Sequence, residues 1–360
     1  MSAPVPGGAG DPSGVVVAVD IGGTKIAAGI VGRDLAVRGH ARVATPARDG
    51  SAAIVAVVAE LVTTVLAGEP GLRPLAVGIG TAGTVDVRAG RIVAATDTLR
   101  GWAGTDLAAE VNLALASVGG PPVVVQNDVD AHAWGEAARG AAAGYSSALV
   151  VAVGTGIGAG ILIDTATGQT PLRGAHHGGG DLAHVPASGA EHLRCTCGWA
   201  GHLEAIGSGI GLHQHYVSLS GDRTATDARE VAARATAGNA HAARAIAESA
   251  AAVGRGIAAA VAILDPAAVV VSGSVPSIGA AWWEPMVAAL RAELTDDRRD
   301  LPVLHGALGG DAPLVGAAAH AWAFLDHAAG RAGPPASTDP PGSPASTTPP
   351  GPSDTIGVPA

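Results

Sequence analysis

Two glycine-rich loops carry the clearest chemistry in this chain. One is Asp20-Ile21-Gly22-Gly23-Thr24-Lys25 and the other Gly154-Thr155-Gly156-Ile157-Gly158. Glycine lets a backbone approach an anion closely and turn its amide N–H groups toward it, so such loops hold phosphates. Each loop joins two short apolar runs, and the quartet Val-Val-Ala-Val recurs at 16–19 and 150–153. Short apolar runs bounded by glycine read as buried strands, so each unit is a strand–turn–strand hairpin. Two similar hairpins far apart in sequence predict two related lobes with a phosphate held between them.

Two other phosphate motifs fit less well. Gly154-x-Gly156-x-x-Ala159 matches the spacing of a dinucleotide fingerprint, but that motif must open a helix and here Ile161-Leu162-Ile163-Asp164 continues as a strand. A Walker-type loop needs Gly-Lys-Ser/Thr, whereas the single lysine, Lys25, follows Thr24.

The elements that must position these loops alternate. Strands are expected at 41–44, 75–80, 122–125 and 269–271, besides the two hairpins. Helices are expected at about 51–66 (capped by Ser51, ended by Gly68), 106–118, 129–140, 204–217, 227–236, 239–264, 280–294 and 312–327. Residues 164–204, rich in Gly and His, read as one long irregular segment of the kind that tends to be functional. With 360 residues the chain can bury a sizeable core. The pattern is α/β in two lobes, 15–126 and 127–305, with a C-terminal helical segment 306–327 expected to rejoin the first. Residues 1–14 and 328–360 lack apolar periodicity and are expected to be disordered tails.

A net charge of −10 without a basic cluster argues against a nucleic-acid surface. The longest apolar helix candidate, 52–66, is interrupted by Glu60 and two threonines, so no membrane span is expected, and no signal peptide opens the chain. Cys195 and Cys197 stand too close for an ordinary bridge, which fits the cytosol.

Lined up, these pieces resemble the ROK family of bacterial sugar kinases, which includes glucokinases, N-acetylhexosamine kinases and related repressors. The resemblance spans about 15–326. It rests on Asp20-Ile-Gly-Gly-Thr-Lys25, Asn127-Asp128, Gly154-Thr-Gly-Ile-Gly158, His184, Cys195-Thr-Cys-Gly-Trp-Ala-Gly-His202-Leu-Glu204 and Leu308-Gly-Gly-Asp-Ala-Pro-Leu-Val-Gly316. It implies a two-lobed hexokinase/actin-like (ribonuclease H-like) fold, with ATP, Mg²⁺ and the sugar in the cleft between lobes, and often a dimer or tetramer. Phosphoryl transfer to a hydroxyl needs a base, a phosphate cradle and a divalent metal. Asp128, between a strand and a helix, is the expected base. Asn127 beside it is expected to bond a neighbouring hydroxyl, although Asn-Asp also reads as a plain helix cap. By resemblance Asp20 lies near the Mg²⁺–phosphate region, and Gly22, Gly23, Thr24 and Gly154, Thr155, Gly156, Gly158 line the phosphates. Lys25 can pair with a phosphate. Gly273, between Ser272 and Ser274 where the family has a glycine run, is expected near the nucleotide.

The same resemblance makes His184, Cys195, Cys197 and His202 a closed, structural zinc site, with His202 standing where a third cysteine is usual. His/Cys/Cys/His remains a complete tetrahedral set. Sugar contacts are expected from Asp181, His184, Glu204 and Thr98 together with Asn127. Asp181 replaces a glutamate, Ala183 a glycine and Ala82 a proline, so the departures gather around the sugar. The expected activity is an ATP-dependent hexose kinase, with glucose phosphorylated at its primary hydroxyl. Another hexose or an N-acetylhexosamine as acceptor, polyphosphate as donor, and a non-catalytic sugar sensor are the alternatives. A DNA-binding repressor is disfavoured, because the stretch before the first strand leaves no room for a helix-turn-helix.

Overall fold

A computed structural model of the chain describes residues 13–165 and 168–330. The first half runs β1 (Gly14–Ile21), β2 (Lys25–Val31), β3 (Val37–Ala44), α1 (Ser51–Ala67), β4 (Arg73–Thr81), β5 (Thr84–Asp86), β6 (Arg91–Ala94), α2 (Leu107–Ala114), β7 (Val123–Asn127) and α3 (Asp128–Arg139). The second runs β8 (Ala148–Val153), β9 (Ile157–Thr165), β10 (Gly168–Pro171), α4 (Glu204–Gly207), α5 (Gly209–Ser220), α6 (Ala228–Thr236), α7 (Ala240–Leu264), β11 (Ala268–Ser272), α8 (Ala280–Glu293), β12 (Val303–His305) and α9 (Ala312–Ala328).

Two five-stranded sheets follow one plan. The first is ordered β3-β2-β1-β4-β7 and the second β10-β9-β8-β11-β12. In each, a three-strand antiparallel meander is extended by two parallel strands. The repeated Val-Val-Ala-Val lies in β1 and β8, the middle strand of each sheet. Strands covered on both faces read as unbroken apolar runs, and Val15–Val19 are accordingly almost fully buried.

The chain crosses between the sheets twice, and both crossings are helices. α3 leaves β7 and packs on β8, β9 and β10; α9 follows β12 and packs back on β1 and β4. Leu314, Ala317, Ala318, Ala321 and Trp322 of α9 form a core with Val16, Ala18, Val31 and Ala76. Where α3 and α9 meet, glycine is required by close approach. A Cβ on Gly316 would stand 1.7 Å from the Ala131 carbonyl oxygen, and one on Gly135 would stand 2.1 Å from that of Ala312.

Several local expectations need correction. Ser51 is the first residue of α1 and Gly50 its cap, with no capping side-chain bond. The helix expected over 204–217 is two helices, α4 and α5, broken at Ser208, whose hydroxyl accepts from the Gly211 N–H and caps α5. The irregular segment expected from 164 begins later, because β9 and β10 pair through Pro171. β1 begins at Gly14 and α9 runs to Ala328, one residue into each expected tail; residues 1–12 and 331–360 lie outside the described residues. Among the described residues α7, with 25 residues, and not 52–66, is the helix long and apolar enough, by length and composition, to cross a membrane. Its face Ala242, Ala245, Ile246, Ala250, Val253, Ile257 and Val261 is buried in the core of the second sheet's lobe.

Candidate active site

The candidate residues gather where parallel strands end. Asp20 on β1 pairs in register with Gly80 on β4, and Thr81 on β4 with Asn127 on β7. The carboxyl ends of parallel strands are where open α/β sheets bind ligands, because loops diverge there and leave a crevice.

The two glycine turns are closed by different bonds. In the first, the Gly22 N–H donates to the Lys25 carbonyl at 3.0 Å and the Thr45 hydroxyl donates to the Gly22 carbonyl at 2.7 Å. A Cβ on Gly23 would stand 2.5 Å from the Thr98 methyl, so Thr98 lies against this turn. Thr24 and Lys25 are exposed. In the second, the Gly154 N–H donates to the Gly156 carbonyl at 2.9 Å, and Thr155 is exposed at the tip. The amides of Gly22 and Gly154 thus close their own turns. Gly158, expected to line a phosphate, has a packing role: a Cβ there would stand 2.4 Å from Val129 of α3. Gly273 has φ +104°, and a Cβ on it would meet the Val153 carbonyl oxygen at 2.3 Å, so this turn needs glycine even between two serines.

Burial makes the acidic residues at the strand ends reluctant to ionise. The Asp20 carboxyl is pushed up to about 7, by burial first and then by the Asp128 charge, while Lys25 pulls the other way. The Asp128 carboxyl is also raised by burial, against hydrogen bonds from backbone N–H groups and the Asn127 side chain. Two neighbouring carboxylates that both resist ionisation are the setting that a divalent cation relieves. Asn127 is the N-cap of α3. Its Oδ1 accepts from Val129 N at 2.8 Å and Asp130 N at 3.3 Å, and its Nδ2 donates to the Gly83 carbonyl at 2.9 Å. Its expected sugar contact must therefore share atoms already engaged in holding the helix.

β9 carries the other half of the site. The Ile157 N–H donates to Glu204 Oε2 at 3.0 Å, Gly158 meets Val129 next to Asp128, and the Ala159 N–H donates to the Gly180 carbonyl at 3.2 Å. Glu204 Oε1 accepts from the Thr196 hydroxyl and lies 3.6 Å from Cys195 Sγ. Glu204 thereby ties the second glycine turn to the cysteine loop.

Among the described residues one group could hold a metal ion: His184, Cys195, Cys197 and His202, whose ligand atoms lie within 4.8 Å of one another. The loop is shaped by antiparallel bridges at Pro186–His202 and Arg194–Ala200 and by the Cys195 N–H bonding the Trp199 carbonyl. His202 Nδ1 is 3.2 Å from Cys197 Sγ. Two sulfurs and two imidazoles suit zinc, whose bonds of roughly 2.0–2.3 Å would draw the four donors slightly closer. Burial holds the Cys195 thiol up at about 11, so without a cation it stays protonated. Asp181 contacts His184 Nδ1 at 2.7 Å rather than standing free. His192, which sequence leaves as a possible competitor for the metal, faces His215 instead.

Sequence reasoning missed a charged pair beside this site. Arg173 Nε lies 3.4 Å from Asp130 Oδ2, and its Nη2 donates to Gln126 Oε1 at 2.9 Å, linking the loop after β10 to β7 and α3. Arg173 sits in an aperiodic stretch, so no local signal marks it. One cavity, of about 1070 Å³, lies away from the strand ends, against Trp134, Tyr145, Trp322 and Phe324, whereas a smaller one of about 200 Å³ includes Asp20 and Lys25. The smaller one holds Asp20, whose carboxylate feels the charge of Asp128.

A two-lobed α/β body with duplicated sheets, glycine turns and acids at the strand ends defines an actin-like phosphotransferase fold. The ROK family model matches residues 16–323, and the chain belongs to that family. It is a ROK-family sugar kinase. It is 30% identical over 323 residues to a glucokinase from Streptomyces coelicolor (85% of this chain, 96% of the relative). It is 34% identical over 262 residues to an N-acetylmannosamine kinase from Citrobacter koseri (72% and 83%). A crystal structure of a ROK family glucokinase from Streptomyces griseus in complex with glucose and AMPPNP superposes with TM-score 0.70 at 31% identity, covering 85% of this chain and 98% of that one.

Proposed function

We propose that this sugar kinase is a glucokinase that transfers the γ-phosphoryl group of ATP to the primary hydroxyl of glucose. The observation that carries the reading is Asp128, a partly buried carboxylate at the end of β7, beside Asp20 and next to the residue that packs on β9. Asp128 accepts the hydroxyl proton as the attacking oxygen gains charge; its raised pKa makes it a better proton acceptor than an ordinary aspartate. The amides of Thr24 and Thr155, two exposed residues, with Gly23 and Gly156, take the phosphates from opposite lobes, and Lys25 adds a positive charge on the first. Gly273 keeps its turn close to β8 near the nucleotide. A Mg²⁺ ion bound with the nucleotide would neutralise phosphate charge and relieve the Asp20–Asp128 repulsion.

His184, Cys195, Cys197 and His202 would hold a zinc ion that is structural, since all four positions come from protein. Such a site stiffens the loop that carries Glu204 to the second glycine turn. The sugar is held by Glu204, Thr98 and Asn127, and the metal loop borders it. A second reading, an N-acetylhexosamine as acceptor, is favoured by the 34% identity to the Citrobacter koseri enzyme and by the engagement of Asp181 with His184. One experiment separates them: ADP release with ATP and Mg²⁺ across glucose, mannose, N-acetylglucosamine and N-acetylmannosamine. Glucose as the best acceptor by kcat/KM supports the first reading. An N-acetylhexosamine as the best supports the second, and no ADP release with any acceptor sinks both.

A further inference from the structure

We propose that Asp181 is a positioning residue for the metal site: its carboxylate fixes the His184 imidazole so that Nε2 points to the ion. The inference rests on the zinc reading above and goes beyond it, because it takes Asp181 away from the sugar. His184 Nδ1 lies 2.7 Å from one carboxylate oxygen of Asp181 and 3.0 Å from the other. An ionised carboxylate can only accept, so Nδ1 carries the proton and the lone pair is left on Nε2. Metal-binding histidines are commonly oriented in this way, by a carboxylate on the nitrogen that does not touch the ion.

The backbone explains why the contact forms. Leu182–His184 is a single 3₁₀ turn and Asp181 is its N-cap. In a 3₁₀ helix residues i and i+3 eclipse, which stacks the side chains of 181 and 184. The turn is clamped to β9, since the Gly180 carbonyl accepts from both Ala159 N and Leu182 N, at 3.2 and 2.7 Å. Gly180 has φ +85°, and a Cβ on it would come within 1.9 Å of the Ala159 carbonyl oxygen, so the segment cannot shift outward without losing that glycine geometry. In this fixed frame an aspartate reaches Nδ1 directly. A glutamate, one methylene longer, would have to fold back to make the same contact.

Charge points the same way. Two thiolates balance the dication, so the Cys195/Cys197/His184/His202 site is neutral, and Asp181 adds a negative charge that strengthens His184 as a donor.

The test is metal retention, read without any activity. Full-length wild type, Asp181→Asn, Asp181→Ala and Asp181→Glu are purified without chelator, and zinc per chain is measured. The rate at which 4-(2-pyridylazo)resorcinol then strips zinc from the folded protein is followed by absorbance, with circular dichroism as the check on folding. About one zinc per wild-type chain is expected. Release should be about 10–100-fold faster in Asp181→Ala, and intermediate in Asp181→Asn, whose amide oxygen still accepts from Nδ1. Zinc in the wild type with unchanged release from every variant overturns the inference while leaving the zinc site standing. A wild type purified without zinc overturns the zinc reading and the inference with it. Unchanged release together with weaker glucose binding, measured by calorimetry, returns Asp181 to the sugar.

Discussion

The two glycine turns occupy equivalent places in equivalent sheets, yet they are built for different tasks. Val16–Val19 runs into Asp20, whereas Val150–Val153 runs into Gly154. The first sheet therefore ends its middle strand in a carboxylate, and β7 delivers a second one, Asp128, nearby. The second sheet has no acid at that position and instead has its turn gripped from outside by Glu204, which is tied to the cysteine loop. A duplicated scaffold thus supplies two glycine turns, and the departures between copies put a pair of partly buried carboxylates on one side and an outside grip by Glu204 on the other.

The largest expected effect breaks the first side. Asp128→Asn keeps shape and capping geometry but removes proton acceptance, so kcat should fall by about 10²–10⁴-fold with a much smaller change in sugar affinity. A folded variant with near-wild-type ADP release would remove Asp128 from the mechanism. Wild-type turnover should also fall on acidification at a higher pH than an ordinary carboxylate dictates, because the Asp128 pKa is raised.

The next breaks the second side. Cys197→Ser should leave metal near zero per chain and lower Tm by several degrees, while the first sheet stays intact by hydrogen exchange. Full metal content in that variant, by elemental analysis, would refute the ligand set.

A third change acts where the sides join. Gly316→Ala inserts a methyl 1.7 Å from the Ala131 carbonyl oxygen, where backbone faces backbone and no side chain can yield. The expected cost is about 1–3 kcal/mol in chemical denaturation, as for other overpacked sites. A neutral result would mean that α3 and α9 part easily.

The smallest effect sharpens the contrast by pH. Folding raises the Asp20 carboxyl from its ordinary 3.8 to about 7, so the folded protein binds this proton more tightly than the unfolded chain does. The associated stability is full below about pH 4 and is lost as pH rises through about 7. Asp20→Asn should therefore gain Tm over ligand-free wild type as pH increases from 5 to 8. A Tm difference that is flat or reversed in sign would show that Asp20 is not buried beside Asp128 as described.

The hairpins, the long helices and the α/β order were legible because each is written in local periodicity and in the glycines that bound it. β5, β6, β10 and β12 were not, since strands of three or four partly exposed residues carry too few apolar positions to show alternation. The break at Ser208 was hidden for a related reason: apolar spacing continues through it, and only the hydroxyl bond to Gly211 marks the new helix. Site residues divided along the same line. Asp128, the two turns and the His/Cys/Cys/His set could be picked out by type and order. What Gly158, Asn127 and Asp181 touch could not.

By itself, then, the sequence determined where strands, helices and turns form, because those depend on residues within a few positions of one another. It also determined which acidic, imidazole and thiol side chains stand beside the glycine turns in the chain's order. Tertiary structure alone decided their partners. Glu204 meets Ile157 from 47 positions away, and α9 returns from the second sheet to press Gly316 against α3. A hydrogen bond or a backbone contact is decided within a few tenths of an ångström. Only the packing of α3, α9 and β9 against one another sets distances to that tolerance.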